Sequence, residues 1–549
     1  MNEQNLQSVA FPTLDETQVT KLARCTQAEL KLFRDGQTLF AAGDRNLNFF
    51  IVKSGEVAIV DFSGDTPKSL TIHRQGQFTG DVSHLTGLPA VVSGVARGDC
   101  EVYEVTGDAL RGALNQCPAI SDIILQAFIA RRQLLRDSPD FTGLRVIGSR
   151  YSADTFRVRD FLSKNRVLFR WLDVETDPQV DQLLKQFGLT ESDTPVVAFG
   201  STQPLHNPSN RELADAIGIH QPLEALVYDL VIVGAGPSGL AAAVYGASEG
   251  LRTAVLEDTA PGGQAGSSMR IENYLGFPLG LTGSDLAGRA ILQANKFGVH
   301  LSVPTPVNRL SFENAYTVVH MEGGETVTAK CLLIATGADY RHLGVEGSDR
   351  FAGTGVYYAA TLAEAQLCSG SQVVVVGGGN SAGQAAVFLA GHARRVLIMI
   401  RGDDLHKNMS SYLALRIEQA PNIELLRNTT IRRMNGDTHL GSVDIVNSQT
   451  GEERTVETPG VFSFIGADPR TNWLPPEIER DAKGFVRTGA DLAQSRYWTA
   501  ARQPFLLETS RPSVFAAGDV RAGSVKRVAS AVGEGAMAVQ FVHECLKHM

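Results

Sequence analysis

Cysteine is scarce in this chain: six residues in 549, at positions 25, 100, 117, 331, 368 and 545, no two of them within three positions of each other. That spacing excludes a dense disulfide framework and any local Cys-x-x-Cys redox pair. Long apolar runs are missing too. No stretch of about 18 residues escapes interruption by Gly or Pro, and the opening MNEQNLQSVAFPTLDE lacks a basic region followed by an apolar core. A cytoplasmic protein with no membrane partner is therefore expected. Basic clusters are also absent, and 50 Lys and Arg against 59 Asp and Glu leave a formal charge of -9. Nucleic acid is a poor partner for such a surface.

What is present is globular: 43% hydrophobic and 20% charged residues, over a length that at about 150 residues per domain predicts three or four folding units. Up to Arg136 the chain shows short β-like runs (TLFAAG, NFFIVKSGEVAIVDF, EVYEV) and then a helical run, AISDIILQAFIARRQLL, with DSPDFTG as a linker. From Leu144 strands and helices alternate: LRVIG, ADTFRVRDFLSKN, LFRWLDVE, DPQVDQLLKQFG, PVVAFG, NRELADAIG. Such alternation predicts a small α/β layer structure.

The segment VYDLVIVGAGPSGLAAAVYGASEGLRTAVLED places Gly234, Gly236 and Gly239 in G-x-G-x-x-G spacing between a strand and an Ala-rich helix that opens with Pro237 and Ser238. Glycines there let the backbone approach a pyrophosphate at the helix N-terminus, where free N–H groups and the dipole favour negative charge. Glu257 ends the next strand and is placed to accept hydrogen bonds from a ribose. A second copy, SQVVVVGGGNSAGQAAVFLAGHARRVLIMIRG, runs Gly377, Gly378, Gly379, Asn380, Ser381, Ala382. Its second strand leads to Arg401 rather than an acid, which favours the 2'-phosphate of NADP(H) over NAD(H). Two such units, one inserted in the other, predict a flavin plus nicotinamide enzyme.

Residues from about 227 to 549 resemble the thioredoxin reductase family of FAD proteins. Beyond the glycine motifs the matching segments are PGGQ (261–264), IENYLGFP (271–278), IATGA (334–338), FIGADPRT (464–471), FAAGDV (515–520) and KRVASAVGEGAMAV (526–539). The resemblance implies bound FAD and NADPH. It implies that Gly263, Gln264, Asn273, Thr336 and Gly337 border the flavin site, and that Asp519, between Gly518 and Val520, holds the ribitol. The helix opening at Arg527, Val528 and Ala529 would aim its N-terminus at the flavin C2 carbonyl, where a positive helix end stabilises anionic charge. A homodimer is expected on the same ground.

The resemblance fails at one point. Where thioredoxin reductases carry Cys-Ala-Thr-Cys-Asp, this chain has Ala359, Ala360, Thr361, Leu362 and Ala363. Neither Ala359 nor Leu362 can form a thiolate or exchange a disulfide, so no catalytic residue is assigned there. Cys368, six residues on, reads as a buried apolar residue. The Arg-rich pattern after the second strand is thinned to Ile400, Arg401 and Gly402, with Lys407 as a substitute.

Residues 144 to about 220 resemble a thioredoxin or glutaredoxin fold, with Thr194-Pro195 as its cis-proline turn. Ser149 and Ser152 stand on both redox cysteine positions, so a docking role is expected. Residues 15–136 resemble a cyclic-nucleotide-binding domain, with FTGDVSHLTGLPAVVSGVA (78–96) on its phosphate cassette. Asp81 replaces the ribose-binding Glu and Ala90 the phosphate-binding Arg; without that cation a buried phosphate is uncompensated. Cyclic nucleotide binding is disfavoured, Arg97 being the nearby alternative cation, and an interaction or dimerisation module is preferred.

The expected architecture is α/β: a β-roll over 1–140, a small thioredoxin-like domain over 141–222, a Rossmann-like FAD domain over 223–345 and 467–549, and an inserted Rossmann-like NADPH domain over 346–466. The expected activity is hydride transfer from NADPH to FAD and onward to an unidentified electron acceptor, a small molecule or a redox protein. The alternatives are a thioredoxin-disulfide reductase and a flavin-bearing redox or nucleotide-sensing regulator. No metal site is expected.

Overall fold

The computed structural model describes residues 3–45, 47–62, 67–137, 144–199, 204–223 and 225–548. The linker expected at DSPDFTG falls, over 138–143, outside these residues. The fold is mixed α/β, and no helix among the described residues is long and apolar enough to cross a membrane.

The N-terminal region is an antiparallel roll. Strand Ser93–Val105 lies between Glu29–Phe33 and Phe49–Asp61, with Lys68–His73 beyond the latter and Thr38–Phe40 also paired to Ser93–Val105. Phe49, Phe78 and Phe128 meet in its core at ring separations of 5.4–6.5 Å, the last ring coming from the closing helix Pro118–Asp137. Arg131 of that helix is buried over the Phe78 ring and donates to the carbonyls of Ala10 and Gly80. Burial pushes its guanidinium down to about 9. Next to it Arg132 pairs with Asp81 at 3.3 Å. Ala90 is packed in the roll's apolar core, and Arg97 is exposed with Glu56 as its ion-pair partner.

The second region has strand order Phe169–Asp173, Leu144–Gly148, Val196–Phe199, Leu205–His206; the first pair is parallel and the others antiparallel. Helices Ala153–Lys164, Val180–Gln186 and Asn210–Ile217 complete it, and the Thr194-Pro195 peptide is cis. The second strand, Phe169–Asp173, is shorter than the LFRWLDVE expected for it and stops at Asp173. The Asp173 carboxylate accepts from the Arg150 and Glu175 N–H groups and the Thr176 hydroxyl, replacing ladder bonds with a turn.

The remainder builds two parallel sheets. In the first, Val227–Val233 lies between Thr253–Leu256 and Thr326–Ile334, with His300–Ser302 outside the former and Val514–Ala516 beside the latter. Tyr316–Met321 and Val307–Glu313 add an antiparallel edge. The second sheet runs Val356–Tyr357, Val461–Ser463, Gln372–Val376, Arg395–Met399, Ile423–Leu426, all parallel, and a three-stranded antiparallel sheet (Thr429–Gly436, Leu440–Asn447, Glu453–Glu457) packs against it. The chain crosses between the two sheets only through a two-stranded ribbon, Ala338–Tyr340 against Ala467–Pro469.

Candidate functional site

Both glycine motifs sit where apolar parallel strands end and helices begin. Gly234 has φ +103°, and a Cβ there would lie 2.4 Å from the Ala335 carbonyl oxygen. A Cβ on Gly239 would lie 1.9 Å from the Gly234 oxygen, so only glycine lets helix Pro237–Ser248 start this close to its strand. A Cβ on Gly263 would meet the Gly236 Cα at 2.9 Å, so two bare backbones face each other across the turn. Gln264 donates to the Ala338 carbonyl, fixing this loop against the ribbon.

The C-terminal helix Val528–Leu546 brings a second N-terminus to the same place. A Cβ on Gly535 would lie 2.1 Å from the Ser238 carbonyl oxygen, and one on Gly518 would lie 3.0 Å from the Ser238 Cβ. The two helices therefore cross in direct backbone contact, with Asp519 beside their open ends. Helix Pro237–Ser248, helix Asn380–Ala390 and helix Val528–Leu546 all lack a side-chain N-cap; their N-caps are Gly236, Gly379 and Arg527. By contrast Asp15, Thr106, Ser152, Ser209 and Thr282 cap helices elsewhere. Uncapped ends leave their first N–H groups free for an anion or carbonyl.

Acids and bases are arranged around these ends. Glu257 is buried and accepts from the N–H groups of Ala235 (2.6 Å), Thr259 (3.1 Å) and Ala260 (3.3 Å); burial pushes its carboxyl above the usual range against those bonds. Burial also raises the Asp519 carboxyl and lowers Lys526, whose ammonium donates to the Asp519 carbonyl. Thr336 donates to the Arg470 carbonyl, and Arg470 N–H to the Gly337 carbonyl. The Arg470 guanidinium pairs with Asp339 and Asp258. Sequence reasoning did not single out Arg470; its signal was its place within FIGADPRT.

In the second unit Gly377 has φ +140° and a Cβ there would meet the Phe464 oxygen at 2.6 Å. Ala382 is fully buried, and Asn380 accepts from the Ser410 N–H at 2.7 Å. Arg401 is exposed just past strand Arg395–Met399 and has no ion pair among the described residues, whereas Lys407 pairs with Asp403 at 2.7 Å.

A cleft separates the two units, lined on one side by Gln264, Ser267 and Met269 and on the other by Tyr358, Ala359, Ala360, Ser381 and Gln384. Tyr340 spans it, donating to the Ser381 hydroxyl at 3.1 Å; burial pushes its phenol up, so it stays a donor near neutral pH. Arg416 and Glu272 form a second link across the units. Asn273 is exposed on the loop closed by Ile271 and Leu281 and does not line the cleft.

Thr361 caps the short helix Leu362–Leu367 in a capping box with the buried Glu364, whose carboxyl burial raises. Ala360 is buried and Leu362 half exposed. Cys368 is 1% exposed within an apolar cluster, and burial pushes its thiol up to about 12, as its reading as an apolar residue anticipates.

Residues 30–117 match the family described as cyclic nucleotide-binding domain, and residues 228–535 match the pyridine nucleotide-disulphide oxidoreductase family. The chain is 32% identical over 327 residues to thioredoxin reductase from Bacillus subtilis (strain 168), covering 59% of this chain and 97% of that protein. Thioredoxin reductase from Treponema pallidum (strain Nichols) is 34% identical over 311 residues, covering 57% and 94%. The crystal structure of Lactococcus lactis thioredoxin reductase superposes with TM-score 0.53 at 28% identity, over 59% of this chain and 100% of that one. Glycine turns, open helix ends and matched span together place this chain, behind a cyclic nucleotide-binding-type module, in the pyridine nucleotide-disulphide oxidoreductase family as a thioredoxin reductase-like oxidoreductase.

Proposed function

We propose that the chain is an NADPH-dependent FAD oxidoreductase that delivers electrons to an external acceptor without a dithiol at its cleft. The observation that carries this reading is the convergence of two uncapped helix ends on bare backbone at Gly236, Gly263 and Gly518, facing across one cleft the third uncapped helix and a loop with no sulfur.

These residues fit a dinucleotide. Gly234, Gly236, Pro237, Ser238 and Gly239 would hold the FAD pyrophosphate on free N–H groups, and Glu257 retains lone-pair capacity for the ribose beyond its three backbone bonds. Asp519, with Gly518 and Val520, would hold the ribitol; Gly263, Gln264, Thr336 and Gly337 would border the ring; Val528 and Ala529 would present N–H groups to its carbonyl edge. Bound FAD supplies hydride acceptance from a reduced nicotinamide. The turn from Gly377 to Ala382 would take the NADPH pyrophosphate and Arg401 its 2'-phosphate. Tyr340, bonded to Ser381, holds this turn against the cleft.

The names of the relatives suggest thioredoxin as the acceptor, but Ala359 and Leu362 offer no sulfur to carry electrons out. The acceptor would then meet the flavin edge directly. The strand order and cis-proline of residues 144–217 support a thioredoxin-like docking module, whose Ser149 and Ser152 perform no exchange. Asp81 tied to Arg132, and Ala90 in the core, support a non-nucleotide role for the roll.

The test is flavin content and anaerobic titration of the purified chain. The reading predicts one FAD released per chain on denaturation and bleaching of the yellow band by NADPH. A chain that retains no flavin after reconstitution, or whose flavin NADPH leaves oxidised, overturns it.

A further inference from the structure

Cys25 and Cys117 stand 92 positions apart, yet their sulfurs are 3.4 Å from each other. Both thiols are free. Cys25 is the last residue of helix Glu16–Cys25, whose end is fixed by Thr26: its hydroxyl and N–H both bond the Leu22 carbonyl. Cys117 caps helix Gly107–Gln116, its N–H bonded to the Ala113 carbonyl, and helix Pro118–Asp137 starts at the next residue. The two helix ends share one apolar core through Leu22, Leu110 and Leu114. The sulfurs are thus held together by packed helices, and a bond length of about 2.05 Å is within reach of small side-chain rotations.

We propose that Cys25 and Cys117 form a reversible disulfide by exchange with a small-molecule disulfide of the glutathione type. Cys25 is exposed and Cys117 only 4% exposed, so the first attack belongs to Cys25. Its thiolate attacks one sulfur of the oxidised glutathione, forming a mixed disulfide and releasing one glutathione thiolate. The Cys117 sulfur, deprotonated, attacks the Cys25 sulfur and releases the second. Two protein thiols become one disulfide, the two electrons reduce the glutathione disulfide, and both protons end on the released glutathione thiols.

The buried member of the pair, Cys117, is not stabilised as thiolate. Cys117 lies between the end of helix Gly107–Gln116 and the start of helix Pro118–Asp137, and the hydrogen bond with Cys25 holds its thiol up. The disulfide, once formed, is therefore retained better than those of oxidising dithiols, which are strong oxidants because their reduced forms are stabilised. The remaining four cysteines are buried. Two of them, Cys331 and Cys545, lie in one apolar core, out of reach of such a reagent. Oxidation would tie the helix carrying Cys25 to the junction that leads into the helix of Arg131 and Arg132, which hold Gly80 and Asp81 of the cassette.

The test exposes the reduced full chain to oxidised glutathione, then alkylates it under denaturing conditions and counts thiols by mass spectrometry. The expected result is loss of two of the six alkylatable thiols, a Cys25–Cys117 cross-linked peptide, and recovery of all six with dithiothreitol. Cys117→Ser is expected to stop at a glutathione adduct on Cys25. Six alkylatable thiols after oxidation, a glutathione adduct on wild-type Cys25 with no cross-link, or a cross-link between other cysteines would overturn the proposal.

Discussion

At Glu257 and Arg401 single side chains distinguish the two glycine-turn units, an acid following the second strand of one and a base that of the other. The Glu257 carboxylate serves three backbone N–H groups while buried, so Glu257→Gln turns an acceptor into a donor against at least one of them. A mispaired buried group costs about 1–3 kcal/mol. The variant is expected to melt earlier and to shed flavin on gel filtration; an unchanged melting temperature and flavin content would contradict its place in the turn. Among the described residues Arg401 has no ion pair to lose, so Arg401→Ala should leave folding intact. Removing one charge-assisted contact, about 1.4 kcal/mol per decade, raises KM for NADPH about tenfold and leaves that for NADH unchanged; equal effects on both coenzymes would refute the 2'-phosphate assignment. The places of both residues, just past second strands, are legible from the sequence, because the apolar strand and its spacing from the glycines define them. Arg470 is not, because its partners Asp258 and Asp339 lie 212 and 131 positions away.

Between elements, close approach sets the site. Helices Pro237–Ser248 and Val528–Leu546 touch at Gly535 and Ser238, so Gly535→Ala forces a shift of backbone rather than of a flexible side chain. Overpacking of this kind costs about 1–3 kcal/mol. Reduced flavin retention and a lower melting temperature are expected, read by released-FAD absorbance and a thermal scan. The glycine turns could be read from spacing, but this crossing could not, since the two helices are hundreds of residues apart in the chain. The ion pair of Glu272 with Arg416 joins the two dinucleotide units. Its hydrogen bond to Arg416 holds the Glu272 carboxyl below the usual range. The pair's contribution is thus complete above the ordinary carboxylate pKa and is lost as pH falls through the lowered native value. With Arg416 half exposed it is worth about 0.5–1 kcal/mol. Glu272→Gln should flatten that acid limb of a stability profile, and an unaltered limb would show that the link does not hold the units.

For the molecule as a whole, the N-terminal regions are built onto the oxidoreductase rather than strung beside it. Arg166, at φ +58°, donates to the carbonyls of Pro261 and Ser284 and accepts at its own carbonyl from Arg132, so the roll, the small α/β unit and the flavin-type sheet meet at one residue. Burial pushes its guanidinium down to about 10. On the other side, Tyr151 stacks on His439 at 4.3 Å and Phe156 packs on Tyr357 at 5.7 Å, bringing the small unit onto the inserted domain as well. The order of the regions was legible because each carries its own periodicity and turn residues. Their docking was not, because it rests on a few long-range contacts that leave no local pattern, as does the meeting of Cys25 with Cys117. Electrons would leave this molecule without passing through a dithiol at the cleft, and anaerobic stopped-flow shows whether they do. Protein bleached by NADPH is mixed with oxidised thioredoxin or with aerated buffer, and the return of the yellow band is followed. Return of colour with dioxygen and none with thioredoxin is expected; rapid return with thioredoxin would show that Ala359 and Leu362 do not close the disulfide route.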